Sequence, residues 1–241
     1  MKVKITLSYD GSQFHGYQSQ KDGTKTVANK LQEAFSAFGI HAKINASGRT
    51  DRGVHATGQV IDIDLPAYWS DLERLKNYLN RVCEPSIMIS RIQEVGEDFH
   101  ARYSAKSRVY RYLIKVGEPS VFAHSFVTYH DSVDFLKIKE SMVLFEGEHD
   151  FEYFSKTGSD PKSTVRKITK CRFYKHKELY VFSFEANGYL RSQIRMMVDF
   201  LLKISDGELK KEELIEQLEK NKIHNRNLAK PNGLYLAKIK Y

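Results

Sequence analysis

Cysteine, tryptophan and proline are scarce in this 241-residue chain, which contains two, one and five of them, respectively. The two cysteines, Cys83 and Cys171, lack the spacing of a zinc site or a disulfide framework, so we expect both to be reduced core residues. No apolar run approaches the ~20 residues that a membrane span needs, and no signal-peptide pattern follows Met1. The sequence therefore predicts a soluble, cytoplasmic protein that does not bind a membrane.

Cofactor motifs are missing as well. The chain has no Gly-rich phosphate loop, no dinucleotide-binding fingerprint and no cluster of His and Cys residues at ligand spacing. We therefore expect neither a cofactor nor a metal site.

Basic residues outnumber acidic ones by 38 to 30, which gives a formal net charge of +8 at pH 7. This balance suits a polyanionic partner such as nucleic acid, although a solvated basic surface explains it equally well. Acidic residues are absent from 161–177, where Arg166 and Lys167 belong to a basic run that is interrupted by Val165 and Ile168. This pattern predicts a strand that buries one face and presents a basic, RNA-binding ribbon on the other.

The hydrophobic periodicity changes between strand-like and helix-like along the chain. In the first half it predicts strands over 3–9, 42–47, 58–65 and 87–95, a helix capped by Thr26, and a helix opened by the capping-box sequence Ser70-Asp71-Leu72-Glu73. In the second half it predicts strands over 108–116, 164–174, 180–186 and 235–241, and helices over 136–145, around 194–202 and around Leu214. We expect an α+β protein of two similar halves, 1–103 and 104–241, with antiparallel sheets, helices packed on one face and a catalytic cleft between the halves.

The segment Ala46–Ala56 concentrates chemically active residues between two predicted strands. It places Asp51 between Arg49 and Arg52, and Gly53 allows a tight turn and the close approach of a ligand. An arginine beside a carboxylate favours its ionised form, so a caged acid in an active-site loop is one interpretation. A plain connection between strands, with Asp51 bonding its own backbone, is the other.

Seven blocks in the same order resemble the tRNA pseudouridine synthase A family. The sequence Gly48-Arg49-Thr50-Asp51, followed by Gly53-Val54-His55-Ala56, is similar to the family signature, and the other blocks lie at 9–18, 98–105, 108–112, 150–151, 187–197 and 233–236. The blocks cover nearly the whole chain. One position departs from the family pattern, because Arg52 stands where a small residue is usual.

The resemblance implies an isomerase that converts uridine to pseudouridine at positions 38, 39 and 40 of the tRNA anticodon stem-loop. It implies a homodimer that holds tRNA, with Asp51 as the catalytic residue, Arg195 as its arginine partner and Tyr110 in contact with the flipped uracil. It also implies that the block at 9–18 helps to bind RNA, so Tyr9, Phe14, His15 and Tyr17 are candidate contacts.

The chemistry of the reaction agrees with these residue types. It needs an ionised carboxylate as nucleophile or general base, and it needs the uridine to leave its stack, which costs a few kcal/mol. Arg49 could fill the vacated position or pair with phosphate, and Arg52 could contact phosphate or point to solvent. Arg108 and Arg111 flank Tyr110 and favour its placement at the RNA.

Two other classes of function stay open at this point. Aromatic and basic strands alone would suit a non-catalytic RNA-binding module, although binding gains nothing from an acid that faces phosphate. A metal-dependent nuclease could use Asp10, Asp51, Asp62 and Asp64, and sensitivity to chelators would separate it from a pseudouridine synthase.

Overall fold

The computed structural model describes residues 1–20, 23–158 and 161–241, which form two compact units. The first unit comprises Met1–Lys106 together with Tyr235–Tyr241, and the second comprises Ser107–Leu234. The sequence places the division after residue 103 and assigns the last strand to the second half. In the structure that strand returns to the first unit, because a strand far along the chain can pair with an early one, and periodicity carries no information about pairing.

The first unit is a sheet with two helices. Its elements are β1 (Lys2–Tyr9), α1 (Val27–Ser36), β2 (Asn45–Ala46), β3 (His55–Asp64), α2 (Leu72–Cys83), β4 (Ile87–Glu94) and β10 (Leu234–Lys240). The strand order is β4-β1-β3-β10, and β2 pairs with β3. β1 runs antiparallel to β3 and β4, whereas β10 runs parallel to β3 with Tyr235 opposite His55. This order makes β3 a central strand.

The local signals of this unit are largely confirmed. Thr26 caps α1, since its side-chain oxygen accepts a hydrogen bond from the backbone N–H of Asn29 at 3.2 Å. α2 begins at Leu72 as predicted, but its cap is Asp71, which accepts from Arg74 N at 2.9 Å, and not Ser70. β2 is only two residues long, and β3 begins at His55 and not at residue 58, so the connection that carries Asp51 spans 47–54.

The second unit has the same kinds of element. They are β5 (Ser107–Val116), β6 (Thr128–His130), α3 (Phe135–Met142), β7 (Gly147–Asp150), β8 (Val165–His176), β9 (Leu179–Ala186), α4 (Gln193–Ser205) and α5 (Lys211–Leu218). The strand order is β5-β9-β8-β7, with antiparallel neighbours, and β6 pairs parallel to β5. The sequence missed β6 and β7, which are too short for alternation to be visible.

The α+β class is confirmed, but the prediction of antiparallel sheets is wrong. Two pairs, β3 with β10 and β5 with β6, are parallel, so the pairing is mixed. Strand direction depends on the path of the connections, which alternation does not encode. No helix in the described ranges is long and apolar enough to cross a membrane.

Strand β8 does not have the single buried face and single basic face that the sequence predicts. Ile168 pairs with Ala186, but Lys170 pairs with Glu185, so Thr169 is an extra residue in a β-bulge. Ile168 and Phe173 are both buried although they are five positions apart, because the bulge reverses the alternation. The basic side chains therefore do not all share one face.

Burial along β3 also departs from the expected alternation. Gln59 and Asp62 are fully buried polar residues, because this central strand is covered on both faces. Asp62 accepts hydrogen bonds from the backbone N–H of Ala101 at 2.6 Å and from the Asn45 amide at 2.9 Å, and Lys2 Nζ lies 3.9 Å away. These contacts satisfy the buried carboxylate.

The two cysteines are free thiols. Cys83 is completely buried at the end of α2, and burial raises the pKa of its thiol to about 11. Cys171 is half-buried on β8, and burial raises its pKa as well. Both thiols are therefore protonated and weakly nucleophilic near neutral pH.

Candidate active site

Asp51 lies in the loop that joins β2 to β3. The loop turns tightly after it, since the N–H of Val54 donates to the carbonyl of Asp51 at 3.1 Å and Gly53 has a φ of +78°. That left-handed conformation favours glycine. The Asp51 side chain is half-buried, whereas Arg49 and Arg52 are exposed. The turn therefore leaves the Asp51 side chain partly accessible to solvent.

Two arginines flank Asp51 along the loop. Arg49 and Arg52 are both exposed. An exposed guanidinium group can donate hydrogen bonds to an RNA phosphate. That these arginines hold the carboxylate of Asp51 in its ionised form stays a prediction.

A second segment, 10–17, packs directly against this loop. The backbone N–H of Tyr17 donates to the carbonyl of Thr50 at 3.0 Å, and that of Gly11 donates to Nδ1 of His55 at 3.0 Å. Gly16 has a φ of +97°, and a Cβ there would lie 3.1 Å from the Thr50 carbonyl oxygen. The sequence blocks at 9–18 and 48–56 therefore pack against each other.

His55, which follows the loop, contacts segment 10–17 with its side chain. It is buried, its Nδ1 accepts from Gly11 and lies 3.3 Å from an oxygen of Asp10, and its ring stacks on Tyr235 with centroids 4.7 Å apart. Burial, with a smaller effect from the negative charge of Asp10, raises the pKa of Tyr235 to about 12. These contacts give His55 a packing role between the two segments.

Three of the four candidate RNA contacts in 9–18 are buried in the structure. Tyr9 and Tyr17 are each 5% exposed and Phe14 is 2% exposed, so these rings belong to the core of the first unit. They are large apolar groups on a segment that closes over the sheet, and burial stabilises them there. Only His15 among the four candidates is exposed. We therefore keep only His15 of these four as a candidate for surface contact with RNA.

Tyr110 lies on β5 in the second unit, opposite Phe184 on β9. It is 9% exposed and packs edge-to-face on Tyr189, with ring centroids 5.2 Å apart and an interplanar angle of 82°. Most of the Tyr110 side chain is therefore packed inside the second unit. A small part of the ring remains accessible to a ligand.

Arg195 lies in the first turn of α4 and is half-buried. Its Nε donates to the carbonyl of Ala229 at 2.7 Å, and the N–H of Ala229 donates back to the carbonyl of Arg195 at 3.1 Å. The next carbonyl, that of Lys230, accepts from the Tyr112 hydroxyl at 2.8 Å. The Ala229–Lys230 segment thus fixes the direction of the guanidinium group, and no sequence pattern indicated this support.

The remaining basic candidates lie on β5 and β8 of the second unit. Arg108 donates to the carbonyl of Asn187 at 2.8 Å, and Arg166 donates to the carbonyls of Ser163 and Val165 at 2.9 and 2.6 Å. Burial lowers the pKa of Arg166. Arg111 and Lys167 are exposed. A partly desolvated arginine that donates only to neutral carbonyls is well suited to bind a phosphate.

Known proteins resemble this chain over its whole length. The family model described as tRNA pseudouridine synthase matches residues 5–104 and 142–241. Proteins named tRNA pseudouridine synthase A are 41% identical over all of both chains in Campylobacter jejuni and 44% identical in Wolinella succinogenes, over 98% of this chain and 92% of that one. One from Streptococcus mutans is 35% identical over all of this chain and 99% of that one.

The chain belongs to the tRNA pseudouridine synthase family. A pseudouridine synthase is an isomerase, since it moves the C1′ bond of a uridine from N1 to C5 of the same base. Asp51 and Arg195 lie within the matched residues, and Tyr110 lies in the interval 105–141 between them. The full-length relatives span that interval too.

The geometry gives no support to a metal-dependent nuclease. In the described ranges no group of three or more His, Cys, Asp or Glu side chains could hold a metal ion. Asp62 is committed to internal hydrogen bonds, whereas Asp64 is exposed at the end of β3. The aspartates that suggested a ligand set along the sequence therefore do not form one.

The contact of Gly11 with the loop gives a testable prediction for this synthase. A Cβ at Gly11 would collide with the carbonyl of Val54 and lie 2.9 Å from the backbone nitrogen of His55. Backbone atoms cannot rotate away, so Gly11→Ala should lower the free energy of unfolding by about 1–3 kcal/mol and slow turnover by displacing the loop. Denaturant unfolding and single-turnover assays would measure both effects.

The matched control is Gln13→Ala in the same short turn, where the side chain is exposed. Its stability should stay within about 0.5 kcal/mol of the wild-type value. If Gly11→Ala were as stable and as active as Gln13→Ala, the close packing of segment 10–17 on the loop would not matter for the reaction.

Proposed function

We propose that this synthase isomerises uridine to pseudouridine at positions 38, 39 and 40 in the anticodon stem-loop of tRNA, with Asp51 as the reacting carboxylate. The observation that carries the proposal is the half-buried Asp51 on a rigidly braced turn, within a chain that matches the family over its whole length. Asp51 acts as nucleophile on the uridine or as general base, and either role requires the ionised carboxylate at a fixed position.

The target base must leave its stack before it can react. Arg49, exposed two residues before Asp51, fills the vacated position or pairs with the neighbouring phosphate, and Arg52 contacts the backbone. His15 and the basic residues Arg108, Arg111, Arg166 and Lys167 bind phosphates. RNA of this kind is held mainly through shape and backbone, so a dispersed set of cations suits it.

Residues of the second unit complete the chemistry in this proposal. Arg195 stabilises the negative charge of the reacting centre, and Tyr110 contacts the flipped uracil. The fixed guanidinium of Arg195 supports this role, because a preorganised cation costs no rearrangement during the reaction. We also propose that the protein is a homodimer with a catalytic cleft and that it is cytoplasmic.

The test is to treat an unmodified tRNA transcript with purified protein and to map pseudouridine at single-nucleotide resolution. We expect modification at 38, 39 and 40 wherever these are uridines, and none in the rest of the tRNA. Modification outside the anticodon stem-loop would contradict the substrate assignment. Light scattering of the purified protein would test the dimer, which should have twice the mass of the chain.

The role of Tyr110 predicts different results for two substitutions. Tyr110→Phe keeps the aromatic face, whereas Tyr110→Leu keeps apolar volume without a ring. If the ring stacks on the base, Leu should reduce kcat/KM by the ~1–3 kcal/mol that stacking is worth, which is about fivefold to 150-fold, and Phe should cost less. Steady-state kinetics on tRNA would measure this.

Because Tyr110 is 9% exposed, both variants need a stability control. Thermal unfolding should show that each is folded at the assay temperature, so that the rates refer to native protein. Equal losses of kcat/KM in the two folded variants would mean that the ring does not stack on the base.

A further inference from the structure

A buried hydrogen-bond network lies under the loop that carries Asp51, and Gln59 is at its centre. The Gln59 side chain is fully buried on β3. Its Oε1 accepts from the Ser47 hydroxyl at 2.7 Å and from the Val60 N–H at 3.2 Å. Its Nε2 donates to the carbonyl of Gly48 at 2.9 Å. One amide thus holds the first two residues of the loop.

Tyr9 extends the network to the residue directly before Asp51. Its hydroxyl lies 2.8 Å from Oγ1 of Thr50 and accepts a long hydrogen bond of 3.5 Å from Gln59 Nε2. Thr50 is buried, and its carbonyl also accepts from the N–H of Tyr17. The loop is therefore fastened at residues 47, 48 and 50 by β1, β3 and segment 10–17.

We propose that Gln59 and Tyr9 are positioning residues, which act through Gly48 and Thr50 to hold the Asp51 carboxylate in its reactive place. This inference rests on the proposed function of Asp51. Neither side chain reaches the substrate, because both are buried in the first unit. Their effect is geometric, and a displacement of about 1 Å in a reacting group can cost ~10²-fold in rate.

The polar side chains of Tyr9 and Gln59 match polar groups that the loop turns inward. The carbonyl of Gly48 and the hydroxyls of Ser47 and Thr50 face the interior of the unit, where unpaired groups are costly. Apolar side chains at 9 and 59 could fill the same space but would not fix the direction of these groups. Directional bonds instead define one loop conformation.

Tyr17 provides a matched control within the same structure. It is buried to the same extent as Tyr9, and the two ring centroids are 6.4 Å apart. Its backbone bonds to the same Thr50, but in the described chain its hydroxyl has no hydrogen-bond partner. A comparison of the Tyr9 variant with the Tyr17 variant therefore distinguishes loss of the network from loss of any buried hydroxyl.

The experiment compares Tyr9→Phe with Tyr17→Phe in the full-length protein. Single-turnover rates are measured at saturating tRNA, and the Kd for tRNA is measured by filter binding. Tyr9→Phe should lower the rate about tenfold to a hundredfold and leave the Kd within twofold. Tyr17→Phe should leave both unchanged, and its Tm should be no lower than that of the wild type, because it removes an unpaired buried hydroxyl.

Thr50 offers a conservative rescue that does not alter an aromatic ring. Thr50→Val removes the hydroxyl at nearly constant shape and should slow the single turnover as Tyr9→Phe does. Thr50→Ser retains the hydroxyl and should restore most of the rate. The double variant Tyr9→Phe with Thr50→Val should be no slower than the worse single variant, since the two changes break the same bond.

Equal rates for Tyr9→Phe and Tyr17→Phe would overturn the inference, as would equal rates for Thr50→Val and Thr50→Ser. If Tyr9→Phe does not fold, the two Thr50 variants decide. A change in Kd without a change in rate would also overturn it, because a positioning residue acts on turnover. Failure of the proposed function is distinguishable, since the wild-type protein would then form no pseudouridine in the tRNA.

Discussion

Asp51→Asn should abolish pseudouridine formation while leaving the fold and tRNA binding nearly intact. The substitution keeps the size of the side chain and its capacity for hydrogen bonds but removes the charge that the chemistry needs. We expect the single-turnover rate to fall by at least about a thousandfold, as when other enzymes lose a residue that reacts directly with the substrate. Mapping of pseudouridine after long incubation would measure the residual rate.

The control for this variant is Asp64→Asn. Asp64 belongs to the same unit and is exposed at the end of β3, so its loss changes the net charge equally without touching the loop. Its activity should match that of the wild type. A rate for Asp51→Asn within tenfold of the wild-type rate would show that Asp51 is not the essential residue.

Arg195→Met should have the second largest effect, and it should act on turnover more than on binding. The Nε–Ala229 hydrogen bond holds the guanidinium in a fixed direction, which is the arrangement expected of a group that stabilises charge in the transition state. Loss of one such group typically costs ~10²- to 10³-fold in kcat. Steady-state kinetics and filter binding would separate kcat from the Kd for tRNA.

Two further variants test whether position or charge accounts for that loss. Arg195→Lys keeps the charge but loses the planar fork and the Nε donor, so it should recover only part of kcat. Arg191→Met removes an exposed arginine four residues earlier and should keep kcat near the wild-type value. If Arg195→Met and Arg191→Met had the same kcat, Arg195 would have no special role.

The sequence by itself determined the features that depend on neighbouring residues. Alternation along 3–9 gave β1, Thr26 gave the start of α1, and the glycines of the block around Asp51 gave a tight loop between strands. These features follow from local rules of backbone conformation, capping and periodicity, which operate over a few residues. The ordered blocks gave the family, because seven of them in one order cover nearly the whole chain.

Only the tertiary structure decided which polar residues are buried and what they support. Gln59 and Asp62 are polar residues in a strand that the sequence predicts to be half-exposed, yet both are buried. Ser47 and Gly48 contact the side chain of Gln59, and Asn45 and Ala101 contact that of Asp62. Likewise, Tyr9 and Tyr17 are interior residues because segment 10–17 closes over the loop. Burial depends on contacts between segments distant in sequence, and a local pattern carries no information about them.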